Sequence, residues 1–103
     1  MTSLELPQEM RDDYLRRSGD KEIIEADAIM HPEHGFMSYR LLPDALLLLQ
    51  VYGDGSYWNL ISIEMAKQIG YRTIRFATAR DPRLFERKYG YSTVGVILEK
   101  EVK

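Results

Sequence analysis

One junction near the middle of the chain limits what it can fold into. Ala45–Tyr52 reads ALLLLQVY, apolar at every position but Gln50, and runs into Gly53-Asp54-Gly55-Ser56. An apolar run of this length between turn residues fits a strand covered on both faces, in the middle of a sheet. Beyond the turn, Trp58, Ile61, Met65 and Ile69 recur at spacings of three and four, which predicts a helix over Tyr57–Ile69 with Gly70 as its terminator. Thr73–Thr78 follows as a strand with Ile74 and Phe76 on one face. Strand, helix and strand in that order form a crossover unit, so Ala45–Tyr52 and Thr73–Thr78 should be parallel neighbours or near neighbours.

The flanking segments complete the outline. Leu6–Arg17 reads as a short helix, with Pro7 suited to its first turn and Ser18-Gly19-Asp20 closing it. Glu22–Met30 and Phe36–Leu42 read as strands separated by the turn His31-Pro32-Glu33-His34-Gly35. Asp81-Pro82 opens a further short helix to Lys88, which Gly90 stops, and Tyr91–Val102 is a last strand. The expected fold is α+β: a single mixed β-sheet made of an antiparallel meander plus one βαβ unit, flanked by helices. At 103 residues the chain makes one domain, with no repeat, linker or low-complexity tract.

Composition narrows the function classes. The absence of cysteine excludes a disulfide scaffold, a thiolate metal site and a cysteine nucleophile, and suits a reducing compartment. No run approaches the roughly 18 apolar residues of a membrane span. The start carries acids and lacks an apolar core, so it does not read as a signal peptide, and the expected location is cytoplasmic. A net charge of −2 argues against a dedicated nucleic-acid or membrane-surface binder. The charge is uneven, however. Residues 1–66 hold 5 basic and 12 acidic groups, and residues 67–103 hold 9 and 4. The basic part, densest from Arg72 to Lys88, is either a solvated face or a site for an anionic ligand or partner.

The Gly-Asp-Gly-Ser turn carries the functional signal. A strand that runs through glycines into a helix presents backbone N–H groups and the positive end of the helix dipole, which together suit an anion such as phosphate. At least one of Gly53 and Gly55 is expected to aim an open N–H into a groove. Gln50-Val51-Tyr52-Gly53-Asp54-Gly55 matches, position by position, the Q/R-x-x-G-x-G/A string of the Gcn5-related N-acetyltransferase (GNAT) superfamily. The segment from Ile69 to Val102, with Gly90-Tyr91 at the family's "GF" turn, is similar to the family's ending. A narrower likeness links the pattern to small, degenerate GNAT-like proteins of tailed bacteriophages and prophages.

This resemblance implies an acyl-CoA N-acyltransferase-like fold in truncated form, with acetyl-CoA as cofactor and an unidentified amine as acceptor. The amides of Gly53, Gly55 and Ser56 would hold the pyrophosphate, Gln50 and Tyr52 would orient the pantetheine arm, and Arg83 would meet the adenosine phosphates. Glu25, which alternates with Asp27 on the first meander strand, would be the general base. The sequence departs from the family at two points. No Lys or Arg lies between Leu41 and Ala66, while Asp44, Asp54 and Glu64 do. The family's general acid is a tyrosine, but Phe85 or Glu86 falls at that position; Tyr89 and Tyr91, in the GF-turn region, and Tyr57, beside the phosphate turn, are the nearby hydroxyls, none of them placed by the motif. The alternative is a GNAT-like module without catalysis, serving assembly or binding, with another copy of itself or other virion proteins as partners.

Other features read more plainly. His31-x-x-His34 has the spacing of a weak metal pair, but two ligands do not fill a zinc site and the only support is Glu33 in the same turn, so a surface turn is preferred and no metal is expected. Trp58 reads as a core anchor or as the wall of a cofactor slot. Arg80, Arg87 and Lys88 are helix-face charges or phosphate contacts. Leu60 and Ile63 lie off the main stripe of their helix, either packed under the meander or contacting another chain.

Overall fold

The structure, a computed structural model, describes residues 1–77, 89–94 and 97–102. A 3-10 turn at Ser3–Glu5 precedes α1 (Gln8–Ser18), β1 (Asp27–His31), β2 (Gly35–Leu41), β3 (Leu46–Gly53), α2 (Gly55–Ile69), β4 (Thr73–Ala77), β5 (Ser92–Val94) and β6 (Ile97–Glu101). The strands form a single six-stranded sheet in the order β1-β2-β3-β4-β6-β5. β1, β2 and β3 are an antiparallel meander, β3 and β4 are parallel, and β4–β6 and β6–β5 are antiparallel. The α+β class, the mixed sheet, the meander and the parallel pair joined by α2 therefore stand as the sequence indicates. Among the described residues no helix is long and apolar enough to cross a membrane.

The apolar run of β3 is explained by cover on both faces. On one side Leu46, Leu48, Met37, Ile74, Phe76 and Leu98 pack with Trp58 and Ala66 of α2. On the other, Phe36 packs with Leu6, Ala28 and Tyr14 of α1, and Tyr52 leans against this smaller cluster. Alternation along β2 sends Phe36 and Met37 to opposite cores. α2 lies on the sheet through Trp58, Ser62 and Ala66, all buried, with Ile61 and Met65 at the flank. The two small residues let the helix approach closely. Ile69, expected on the core stripe, is instead 45 % exposed, in the last helical residue before Gly70. Leu60 is 63 % exposed and does not pack under the meander, whereas Ile63 is partly buried against the α2 core.

Two strand boundaries differ from expectation, for physical reasons. The segment expected as a strand from Glu22 enters the sheet only at Asp27. Its backbone is held by side chains instead of a ladder. Gln50 Oε1 accepts from Ile24 N–H (3.0 Å), Gln50 Nε2 donates to the Glu22 carbonyl (3.0 Å) and to Asp20 (3.2 Å), and the Ser3 hydroxyl accepts from Ala26 N–H (3.0 Å). Tyr91–Val102 is two strands, β5 and β6, paired antiparallel around Gly95 and Val96, which lie outside the described residues. The short helix expected over Asp81–Lys88, with Arg80, Arg83 and Arg87, also falls outside the described residues.

A bulge shapes β3 just before the glycine turn. The β2–β3 register passes from Ser38↔Gln50 to Tyr39↔Leu48, so Leu49 is the extra residue. The buried Ser38 hydroxyl compensates by accepting from Gln50 N–H (3.1 Å) and donating to the Gln50 carbonyl (3.4 Å).

Candidate functional site

The site is built where the β1–β2 turn meets the β3–α2 junction. The turn His31-Pro32-Glu33-His34 is closed by the His34 N–H on the His31 carbonyl (2.9 Å). Gly35 and Gly53 face each other across β2 and β3, both with positive φ, +100° and +94°. A Cβ on Gly35 would sit 1.9 Å from the Tyr52 carbonyl oxygen, and one on Gly53 would sit 2.3 Å from the His34 carbonyl oxygen. Only glycine allows both this backbone conformation and this approach. The His34 carbonyl then accepts two hydrogen bonds, from Asp54 N–H (2.9 Å) and from the Trp58 indole N–H (2.8 Å). One carbonyl thus joins the hairpin turn to the start of α2.

Asp54 is the N-cap of α2. Its carboxylate accepts from Tyr57 N–H (3.1 Å). The Tyr57 amide, desolvation opposing it, and then His34 and the Ser56 amide set its balance, which holds the carboxyl below the usual carboxylate range. This is the ordinary way to satisfy helix-start amides. It also puts a negative charge where an anion would otherwise go. The second carboxylate oxygen lies 3.4 Å from His34 Nδ1.

Aromatic rings cover the junction. Tyr57 stacks on His34 with centroids 3.8 Å apart and planes within 9°, and His31 lies 5.1 Å from His34 and 5.8 Å from Tyr57. Trp58, buried beneath, meets Tyr57 edge-on at 4.9 Å. The Tyr89 hydroxyl comes up on the other side, 2.7 Å from where a Cβ on Gly55 would be.

The structure gathers Gly53, Gly55, Ser56 and Tyr57 at this junction but not the remaining expected residues. The Gln50 side chain, only 1 % exposed, points to the α1 side and braces residues 20–24. The Tyr52 hydroxyl also lies on the α1 side, where it donates to Asp13; that bond holds the Asp13 carboxyl down and the Tyr52 phenol up. Glu25 is not on a strand: it is exposed in the braced segment before β1, where its carbonyl accepts from Arg40 (3.2 Å). Arg83 lies outside the described residues. Sequence reasoning treated Asp54 only as an unfavourable charge; the signal for its capping role, an aspartate directly before a helix, was present. The meeting of His31 and His34 with Tyr57, and of His34 with Asp54, depends on long-range pairing that no local spacing reveals.

Neither a protein-family model nor a curated protein matches the chain.

Proposed function

We propose that this chain is a GNAT-like domain whose cofactor turn has become a structural junction, and that it works as a binding or assembly module, in the host cytoplasm or in a phage particle, with at most weak acetyl-CoA-dependent N-acetyltransferase activity. The carrying observation is the Asp54 carboxylate capping α2 and bonded to the Tyr57 amide, where the resemblance would put pyrophosphate. A phosphate entering there would have to displace Asp54 from its cap and then lie beside it. Like charges a few ångström apart at a partly solvated site cost on the order of 1 kcal/mol, and the segment between Leu41 and Ala66 supplies no Lys or Arg of its own. Gln50 and Tyr52, the other residues of the string, have their side-chain polar groups engaged on the α1 side.

A catalytic reading has one observation in its favour. The Tyr89 hydroxyl beside Gly55 puts a phenol next to the turn, where a general acid for a departing thiolate would be needed. Calorimetric titration with acetyl-CoA separates the two. The module reading expects no saturable binding to the wild type at millimolar cofactor, and binding gained on Asp54→Ser, which keeps a cap while removing the charge. Micromolar binding to the wild type would favour the transferase, with Tyr89→Phe as the next variant.

A further inference from the structure

We propose that the β1–β2 turn is a binding site for a divalent transition metal of the zinc type, with His31, Glu33 and His34 as ligands and Asp54 as the residue that orients His34. One ligand atom from each of the three side chains lies within 4.8 Å of the others. Two imidazoles and one carboxylate are a donor set for zinc, nickel or copper rather than for magnesium or calcium, which take oxygen ligands. Three protein ligands leave a fourth position for water or another group.

The geometry distinguishes one fixed ligand from two that adjust. The His34 ring is stacked on Tyr57 at 3.8 Å, and its Nδ1 faces the Asp54 carboxylate at 3.4 Å. A carboxylate on one ring nitrogen fixes the tautomer and leaves the other, here Nε2, with its lone pair available; metal-binding histidines are commonly oriented this way. The His34 backbone is held by the bonds its carbonyl accepts from Asp54 and Trp58. His31 and Glu33 are exposed. Zinc bonds of about 2.0–2.2 Å put tetrahedral ligand atoms about 3.4 Å apart, so separations of up to 4.8 Å must contract by at most about 1.4 Å. Side-chain rotation of His31 and Glu33 can supply that movement. The ion would pin the hairpin turn onto the start of α2, and Asp54 would serve both the helix and the metal. This inference shares Asp54 with the acetyl-CoA reading but needs neither the glycines of the string nor the cofactor, and its ligands are outside that string.

The test is titration of the tag-free chain with Zn²⁺, and separately with Mg²⁺, read by calorimetry and by the ring signals of His31 and His34, which are the only two histidines. The expected result is one Zn²⁺ per chain with micromolar affinity, both rings shifting together, and no binding of Mg²⁺. His31→Asn changes an exposed side chain and should abolish the binding. Asp54→Asn retains a good helix cap and should weaken binding about tenfold, in the range seen when an orienting partner is lost. Absence of Zn²⁺ binding at millimolar concentration, equal binding of Mg²⁺, or unchanged affinity in His31→Asn would overturn the site. An unchanged affinity in Asp54→Asn would overturn the role given to Asp54.

Discussion

Replacing Gly35 with alanine is expected to destabilise the chain by more than about 3 kcal/mol, a large share of what a domain of this size has in total. Two separate effects add. At φ +100° an L residue is strained, at a cost of about 1–3 kcal/mol. The new Cβ would also overlap the Tyr52 carbonyl, 1.9 Å from its oxygen and 2.7 Å from its carbon. Both are backbone atoms in a paired strand, so relief means parting β2 from β3 where the two glycines cross. Gly70→Ala isolates the first effect: Gly70 has φ +94°, but nothing lies within 4 Å of its Cβ position. Urea denaturation of both variants should give a midpoint far lower for Gly35→Ala than for Gly70→Ala. Equal losses would mean that the close crossing of Gly35 over the Tyr52 carbonyl does not exist.

Trp58→Ala is expected to cost about 3–5 kcal/mol, the usual range for emptying a large buried aromatic site. The residue is 1 % exposed and belongs to the larger core cluster with Met37, Leu48 and Ile74. Its indole N–H also ties α2 to the hairpin through the His34 carbonyl. Trp58→Phe separates packing from the hydrogen bond. It keeps most of the volume, and the His34 carbonyl retains its bond from Asp54 N–H, so the loss should fall to about 1–2 kcal/mol. Thermal or urea unfolding followed by far-ultraviolet circular dichroism reads both variants without relying on the tryptophan. Equal losses for Ala and Phe would assign the whole effect to the tie rather than to packing.

These two residues also show how far the sequence could be read. The buried strand, the crossover helix and the parallel return were legible because local pattern and global packing agree there: β3 is covered on both faces and its composition says so. The start of β1 was not legible. Glu22–Asp27 has an alternating pattern that fits a strand, yet Gln50 and Ser3 satisfy its backbone from the side. Gln50 itself was read through a motif, and its burial beside Asp20 and Glu22 depends on the fold of a segment some thirty residues away. Gly53 was read as a ligand-approach position, whereas the structure shows it at the crossing with Gly35 and the His34 carbonyl. A position needed for backbone approach looks the same in sequence whether a ligand or another strand approaches.

The central claim is that the start of α2 is already capped by Asp54, whose carboxylate holds the Tyr57 amide, and acid titration followed by amide resonances of Ser56 and Tyr57 tests it most directly. Asp54 is held below its ordinary value of 3.8 in the fold, first by the Tyr57 amide. A carboxyl depressed in the folded state contributes stability that is present above its unfolded value and is lost as pH falls through the folded value. The account predicts that the Ser56 and Tyr57 amides shift together as the pH falls, with a common midpoint below 3.8, and that Asp54→Asn removes the transition. It predicts no movement of either amide when acetyl-CoA is added at neutral pH. Amides indifferent to acid, yet shifted by acetyl-CoA at micromolar concentration, would contradict it.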